Sequence, residues 1–312
     1  MDAGELLRRY AIGERNFSGV NFSRLHLEEV DLCGVNLNGA ELTGTHLNDV
    51  NLSYANLSNA SLQGVTLLGA NFEGANLSNA RLDGSEAEYA NFKAANLSHA
   101  NLSGSFQGVD FSYADLSNIY MDHGWIEEAN ISYANLSNIT TYQSTLDKVN
   151  LRGANLSNAF FSDGTRLRKA NLIGANLTGM GIGQLLTDCI YDTETIIDEK
   201  TRYLSIPGIG LFDIFERAIL IGSGENLNSA NLENTDLSDL DLSEADLSYA
   251  NLKGTNLSNS SLFQANLEGA DLEGANLTGA DLEGANLNNA YLYNTIFDST
   301  VMPDGNIRDD DC

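Results

Sequence analysis

Leucine or phenylalanine returns every fifth residue along most of this chain, and the residues between repeat their polarity with the same period. With the large apolar residue as the centre of a unit, the pattern runs from Phe17 through Phe22, Leu27 and Leu32 to Leu102. It resumes at Phe106 and continues to Phe161, runs again from Leu167 to Ile182, and returns from Leu227 to Met302. Of these 50 units, 43 have Leu or Phe at the centre, so the period takes precedence over propensities read on single segments. Five matches neither the helical period of about 3.6 nor the strand period of about 2, so each unit must change direction.

One unit shows how it turns. In Ala75-Asn76-Leu77-Ser78-Asn79 a small residue stands two before the centre and a polar residue one before it. That alternation is an extended stretch with Ala and Leu on one face and Asn on the other. The fifth residue is Gly or Asn in 27 of the 50 units, among them Gly34, Gly39, Asn59, Asn79 and Gly274. Both types tolerate the positive φ that the third residue of a type II turn requires. Each unit is therefore predicted to be a very short strand followed by a corner, with Leu, Phe and Ala facing inward. Where the corner carries Tyr54, Tyr113, Tyr133 or Tyr249, a turn with negative φ is expected.

The motif Ala-(Asn/Asp)-Leu-x-x resembles that of the pentapeptide repeat proteins, over about four fifths of the chain. The resemblance implies an all-β fold, a right-handed quadrilateral parallel β-helix with four units per coil and short capping α-helices. Residues twenty apart would then stack on one another. About function it implies much less.

A solenoid is weakest at its ends, where a coil exposes strand edges and an apolar layer. Asp2 with Glu5 three residues on makes a capping box, and Leu6, Leu7, Tyr10 and Ala11 form one apolar face opposite Arg8 and Arg9. A capping helix within residues 1–14 is predicted, similar to that of cyanobacterial members of the family. At the other end, Val301 to Ile307 abandons the repeat in a way that resembles the family's closure, before the acidic Asp309-Asp310-Asp311.

Three interruptions divide the chain. Leu102 to Phe106 is one residue short, and Phe161 to Leu167 is one long with a bulge expected at Asp163-Gly164-Thr165; both should distort a corner without ending the coil. Residues 183–224 are different in kind. Pro207-Gly208 reads as a turn, and Leu211, Ile214, Phe215, Ala218 and Ile219 recur at helical spacing. The reading is of a first β-helical segment at 15–182, a non-repeat insertion with an amphipathic helix at 183–224, and a second segment with the tail at 225–312. The alternative is one solenoid with a long excursion.

Catalytic chemistry finds little support. His26, His46, His99 and His123 fall at outward or corner positions, and only His26 and His46 are spaced to stack. No P-loop, dinucleotide or nucleophile-elbow motif is present. Asn and Asp before each centre are expected to bond turn backbone and stack in ladders. Cys33, Cys189 and Cys312 are odd in number with no metal-type spacing, so free thiols are expected. No catalytic residue, cofactor or metal site is assigned. No apolar run of 18 residues and no leader segment are seen, which points to a cytoplasmic protein.

Charge says more about partners. The net charge is −27, and residues 225–312 hold 17 acidic against 2 basic residues. A phosphate-binding role needs a basic face, so direct nucleic-acid binding is set aside. The quinolone-resistance members of the resembled family are acidic rods that imitate duplex DNA at DNA gyrase, so a DNA-mimic role is one expectation. A non-catalytic scaffold with a protein partner is the other. Interaction candidates are the outward aromatics Tyr113, Tyr133 and Trp125 and the acidic residues Asp236, Asp241, Asp246, Asp271 and Asp281. Tyr120 and Tyr142 lie near the first group, and all of these aromatics can equally cover a core weakened by Met121, Ile126, Ile131 and Thr141. Capped ends favour a monomer.

Overall fold

A computed structural model describes residues 1–162, 164–182, 186, 189–198, 203–206, 210–213 and 218–308. Two compact units emerge, one of Met1–Cys189 with Glu194–Ala218 and the other of Ile190–Thr193 with Ile219–Cys312.

The first unit opens with helix α1 (Ala3–Ala11). Asp2 caps it, its carboxylate accepting from the Glu5 amide at 2.8 Å. Leu6 is buried, the Tyr10 hydroxyl donates to the Cys33 carbonyl at 2.9 Å, and the Arg9 guanidinium lies 5.4 Å from the centre of the Phe17 ring. The helix thus covers the first coil through Leu6 and Tyr10, as expected, whereas Ala11 is exposed and Arg9, expected on the opposite face, lies over Phe17.

From Asn16 onward, the residue before a centre typically forms a parallel bridge to the residue twenty later. Asn16–Asn36, Asn21–Glu41, His26–His46 and Asp31–Asn51 begin four bridge rows that continue coil after coil. Hydrogen bonds in one row show the ladder: Leu57 N donates to Asn76 O at 2.7 Å, and Asn76 N donates to Ala55 O at 2.9 Å. The centres Leu57, Leu77 and Leu97 stack inside at 0 % exposure. Full burial of one such side chain stabilises by about 1.5–3 kcal/mol, and the repeat multiplies that term along the core. Many corners close with a bond such as Ala80 N to Leu77 O, with Asn79 at φ 58°.

In four successive coils one row lengthens into strands: β1 (Tyr120–Asp122), β2 (Thr140–Tyr142), β3 (Phe160–Phe161) and β4 (Gly181–Ile182), all parallel. The interruptions change coil length without breaking pairing. Glu86 bridges Ser105 and Asn91 bridges Asp110, nineteen apart, while Asn150 bridges Asn171, twenty-one apart. Gly164 and Thr165 lie at this longer coil, and Asp163 lies outside the described residues. The Asp147 carboxylate ties the longer coil down, accepting from Arg168 N at 3.0 Å and pairing with the Arg168 and Arg166 side chains.

The second unit includes β5 (Ile190–Tyr191) paired parallel with β8 (Ile219–Leu220). Its coils begin with the bridges Asn226–Asp246, Asn231–Asn251, Asp236–Asn256 and Asp241–Ser261. They end where β9 (Thr300–Val301) pairs antiparallel with β10 (Ile307–Arg308) and Arg308 covers the Phe297 ring at 4.4 Å.

Two expectations are corrected. No helix forms over the described part of Leu211 to Ile219. Instead β7 (Gly210–Asp213) pairs antiparallel with β6 (Tyr203–Ile206), and Ile219 belongs to β8; residues 214–217, and the turn read at Pro207-Gly208, lie outside the described residues. A short apolar run has no periodicity that separates helix from strand, and Leu211-Phe212 suits either.

The tyrosine corners do not turn with negative φ. Tyr54, Tyr113, Tyr133 and Tyr249 stand at 57–60°, among twenty-nine described non-glycine residues in the left-handed region. Such a conformation costs about 1–2 kcal/mol in isolation, so coil stacking imposes the corner whatever residue occupies it. After Tyr54, Tyr133 and Tyr249 a glycine makes room in the following coil, whereas Tyr113 stacks on Tyr133. A Cβ on Gly74 would sit 2.7 Å from the Tyr54 ring, and one on Gly153 would sit 2.6 Å from that of Tyr133.

Candidate interaction surface

The outward residues are fixed by bonds that run along the coils. In one row Asn36 donates from Nδ2 to Asn16 Oδ1 at 3.0 Å, Asn56 to Asn36 at 3.2 Å and Asn76 to Asn56 at 3.4 Å. The same Asn36 Oδ1 accepts the Asn38 amide at 3.1 Å. Asparagine can therefore continue a ladder indefinitely. Aspartate accepts but cannot donate, so Asp31, Asp110, Asp115, Asp236 and Asp246 each receive Nδ2 from an asparagine one coil on. The ladders predicted for these residues are present.

The five acidic candidates are distributed rather than gathered. Asp246 shares a row with Asn226 and Asn266, Asp271 with Asn251, and Asp236 with Asn256; Asp241 and Asp281 share a fourth row with Ser261 between them. The carboxyls of Asp241 and Asp246 are held below the usual aspartate range, chiefly by the hydroxyls of Ser243 and Ser248 and then by those residues' amides. Asp271 pairs with Lys253 at 3.3 Å, and Asp281 accepts the Glu283 amide at 2.9 Å. The second unit thus presents carboxylates at fixed heights around its coils.

The aromatic candidates separate into two places. Tyr113 and Tyr133 stack at 5.2 Å at a corner that precedes the Asp115–Asn135 bridge. Tyr120 lies on β1 and contacts Tyr142 at 6.0 Å, and Tyr142 contacts Phe160 at 6.2 Å. Trp125 stands in the next row, its indole N–H donating to Glu127 at 3.1 Å. Phe160 was missed in the sequence because it precedes another Phe; an aromatic at the polar position before a centre is the signal that would have found it. Beneath these side chains Met121, Ile126, Ile131 and Thr141 are buried.

Elsewhere the chemistry is structural. The rings of His26 and His46 stack in parallel at 4.5 Å, so their nitrogen lone pairs run side by side and do not converge on one ion. Among the described residues no three metal-binding side chains gather. Cys33 and Cys189 are in no disulfide, the Cys189 thiol donating to the Leu167 carbonyl, and Cys312 lies outside the described residues. No described helix is long and apolar enough to cross a membrane.

Solved structures with the same kind of repeat resemble this chain. HetL, a pentapeptide repeat protein involved in heterocyst differentiation regulation from the cyanobacterium Nostoc, is 28 % identical over 99 % of this chain and 100 % of its own, with a TM-score of 0.34. A trypsin-treated form of QnrB1, a plasmid-mediated fluoroquinolone resistance protein, is 17 % identical over 59 % of this chain and 90 % of its own, with a TM-score of 0.31. A thylakoid-lumen pentapeptide repeat protein of Arabidopsis thaliana is 21 % identical over 49 % of this chain and 73 % of its own, at a TM-score of 0.13. No curated protein matches. The family profile described as Pentapeptide repeats matches in 8 copies, over residues 16–53, 55–88, 75–106, 88–123, 127–163, 144–179, 226–264 and 260–298. The bridge rows, the inward leucines and these matches agree: the chain belongs to the pentapeptide repeat family.

Proposed function

We propose that this protein is a non-catalytic scaffold that holds a protein partner through its fixed outer surface. The observation that carries the reading is the way the carboxylates of the second unit are mounted. Asp236 and Asp246 are immobilised in ladders, and 17 acidic residues face 2 basic ones over residues 225–312. Preorganised charge of one sign steers a partner of the opposite sign and fixes its register. The coils are right-handed and four-sided, the two repeat segments at 15–182 and 225–312 act as separate platforms flanking the 183–224 insertion, and the protein works in the cytoplasm. Exchange of Asp236, Asp246 and Asp271 for Asn keeps the hydrogen-bond acceptors and removes charge. Affinity capture should then recover a basic protein with the native chain and lose it with this variant, whose circular dichroism stays native. Equal recovery by both would end the reading.

A second reading is favoured by the same acidic excess: charge mimicry of duplex DNA at DNA gyrase or another DNA-binding enzyme. Inhibition or protection of purified gyrase in a supercoiling assay supports it, and no effect at micromolar protein ends it.

A further inference from the structure

One side of the first unit is almost free of charge. It comprises residues 115–122, 135–142, 155–162 and 176–181, four successive passes that the bridges Asp115–Asn135, Asn135–Asn155 and Asn155–Asn176 and the strands β1 to β4 place one upon another. Asp115 and Asp122 are its only acidic residues, and it contains no Lys or Arg. On other passes of these coils charged side chains pair with one another, Lys148 with Glu128 at 2.7 Å and Arg168 with Asp147 at 2.8 Å. In a chain of net charge −27, such a neutral side is a distinct surface.

Its composition is aromatic and hydroxyl- or amide-bearing. Tyr120, Tyr142 and Phe160 are 45 %, 40 % and 46 % exposed and in mutual contact through Tyr142. Thr140 lies in register between Tyr120 and Phe160. Beside them the amides of Asn135, Asn155 and Asn176 are held at coil spacing, each donating to the coil before. Because each ladder uses one N–H of each amide, the other is left for a ligand.

We propose that this side binds an extended, neutral oligosaccharide. The near-absence of charge disfavours phosphates, nucleic acids and ionic peptides, whose recognition needs charged groups. The Tyr142 ring is tilted 47° from that of Tyr120 and 60° from that of Phe160, so the three rings offer sugar C–H groups separate apolar surfaces at different angles, and flanking amides and hydroxyls match sugar hydroxyls. Tyr120 and Phe160 stand two coils apart, about 9.6 Å at the usual strand spacing, close to the advance of one disaccharide along an extended glycan. A second copy fits less well. Four coils span about 20 Å and an eight-residue pass about 26 Å, wrapped around a corner. That area falls short of the roughly 800 Å² per partner of a stable protein interface. This binding is independent of the protein-partner reading, which stands or falls on the second unit.

Native electrophoresis of the full chain through gels containing a soluble neutral β-glucan, α-glucan or mannan tests it, with alginate as the charged control. At least one neutral polymer should retard the protein and alginate should not. Tyr142→Ala and Phe160→Ala should each abolish the retardation at unchanged melting temperature, while Tyr142→Phe keeps most of it. No retardation by any neutral polymer, or retardation that survives both alanine variants, overturns the proposal. So does sedimentation showing a dimer that these variants dissociate, because the face is then an interface between copies.

Discussion

At the scale of the residue, the inward and outward assignment was legible because each side chain has one task repeated many times. Leu77 is fully buried between Leu57 and Leu97, so Leu77→Ala should cost about 2–5 kcal/mol in chemical denaturation, and Leu77→Asp should unfold the coils around it. The corner conformation was legible only in part. Glycine and asparagine announced it, but Tyr133 at φ 58° did not, because the neighbouring coil rather than the residue decides. What the sequence does show for Tyr133, once the stacking is known, is the compensating Gly153 twenty residues later. Gly153→Ala should destabilise by about 1–2 kcal/mol from its backbone alone, with a further loss from contact with Tyr133. Replacing Tyr133 by Ala in the same chain should recover the second part, so a double-mutant cycle that is strictly additive contradicts the arrangement. Acid tests the ladders. The carboxyl of Asp246 is depressed by the Ser248 hydroxyl, so its stabilisation is present above the ordinary aspartate value of about 3.9 and is lost as pH falls through the lower folded value. Relative to Asp246→Asn, the native chain should therefore lose melting temperature between pH 6 and pH values below about 3.9. A constant difference across that range would mean that the Ser248 bond does not act on the charge.

Among the elements, α1 was readable from Asp2, Glu5 and its apolar face, since capping and periodicity pointed the same way. The second helix was not, because Leu211 and Phe212 lie in a short apolar stretch where strand pairing with Tyr203–Ile206 decides the outcome. That pairing is local, with Ile206 opposite Gly210, and the turn signal Pro207-Gly208 between two short apolar runs was the trace that the helical spacing overrode. Coil lengths of nineteen and twenty-one residues were anticipated, since each slip in the five-residue period maps onto one corner. Deleting residues 2–11 removes the cover from Phe17 and the Arg9 contact above it. The truncated chain should self-associate, seen as a concentration-dependent rise in sedimentation coefficient, with first coils pairing edge to edge. If it stays monomeric and fully protected from hydrogen exchange at Phe17, Phe22 and Leu27, α1 does not cap the coil.

Across the whole molecule, charge was fully legible while its placement was not. The count of −27 is a sequence fact, but only the bridges show that Asp236, Asp246 and Asp271 occupy separate rows and that the aromatic candidates fall at two places. The neutral side of the first unit was harder to see, since its last pass follows a twenty-one-residue coil, Asn155 to Asn176, that a strict twenty-residue count misplaces. Everything therefore depends on one geometric statement: that residues twenty apart are neighbours, and residues fifteen apart are not. Cysteine pairs test it most directly, because parallel neighbours at about 4.8 Å fall within the roughly 4.4–6.8 Å Cα separation that a disulfide spans. In Asn56→Cys with Asn76→Cys, mild oxidation should give a single cross-linked peptide by mass spectrometry, as their bridge predicts. In Asn56→Cys with Asn71→Cys, the same treatment should leave the two peptides unlinked. Cross-linking of the second pair, or failure of the first in the folded chain, would contradict the coil on which the scaffold is built.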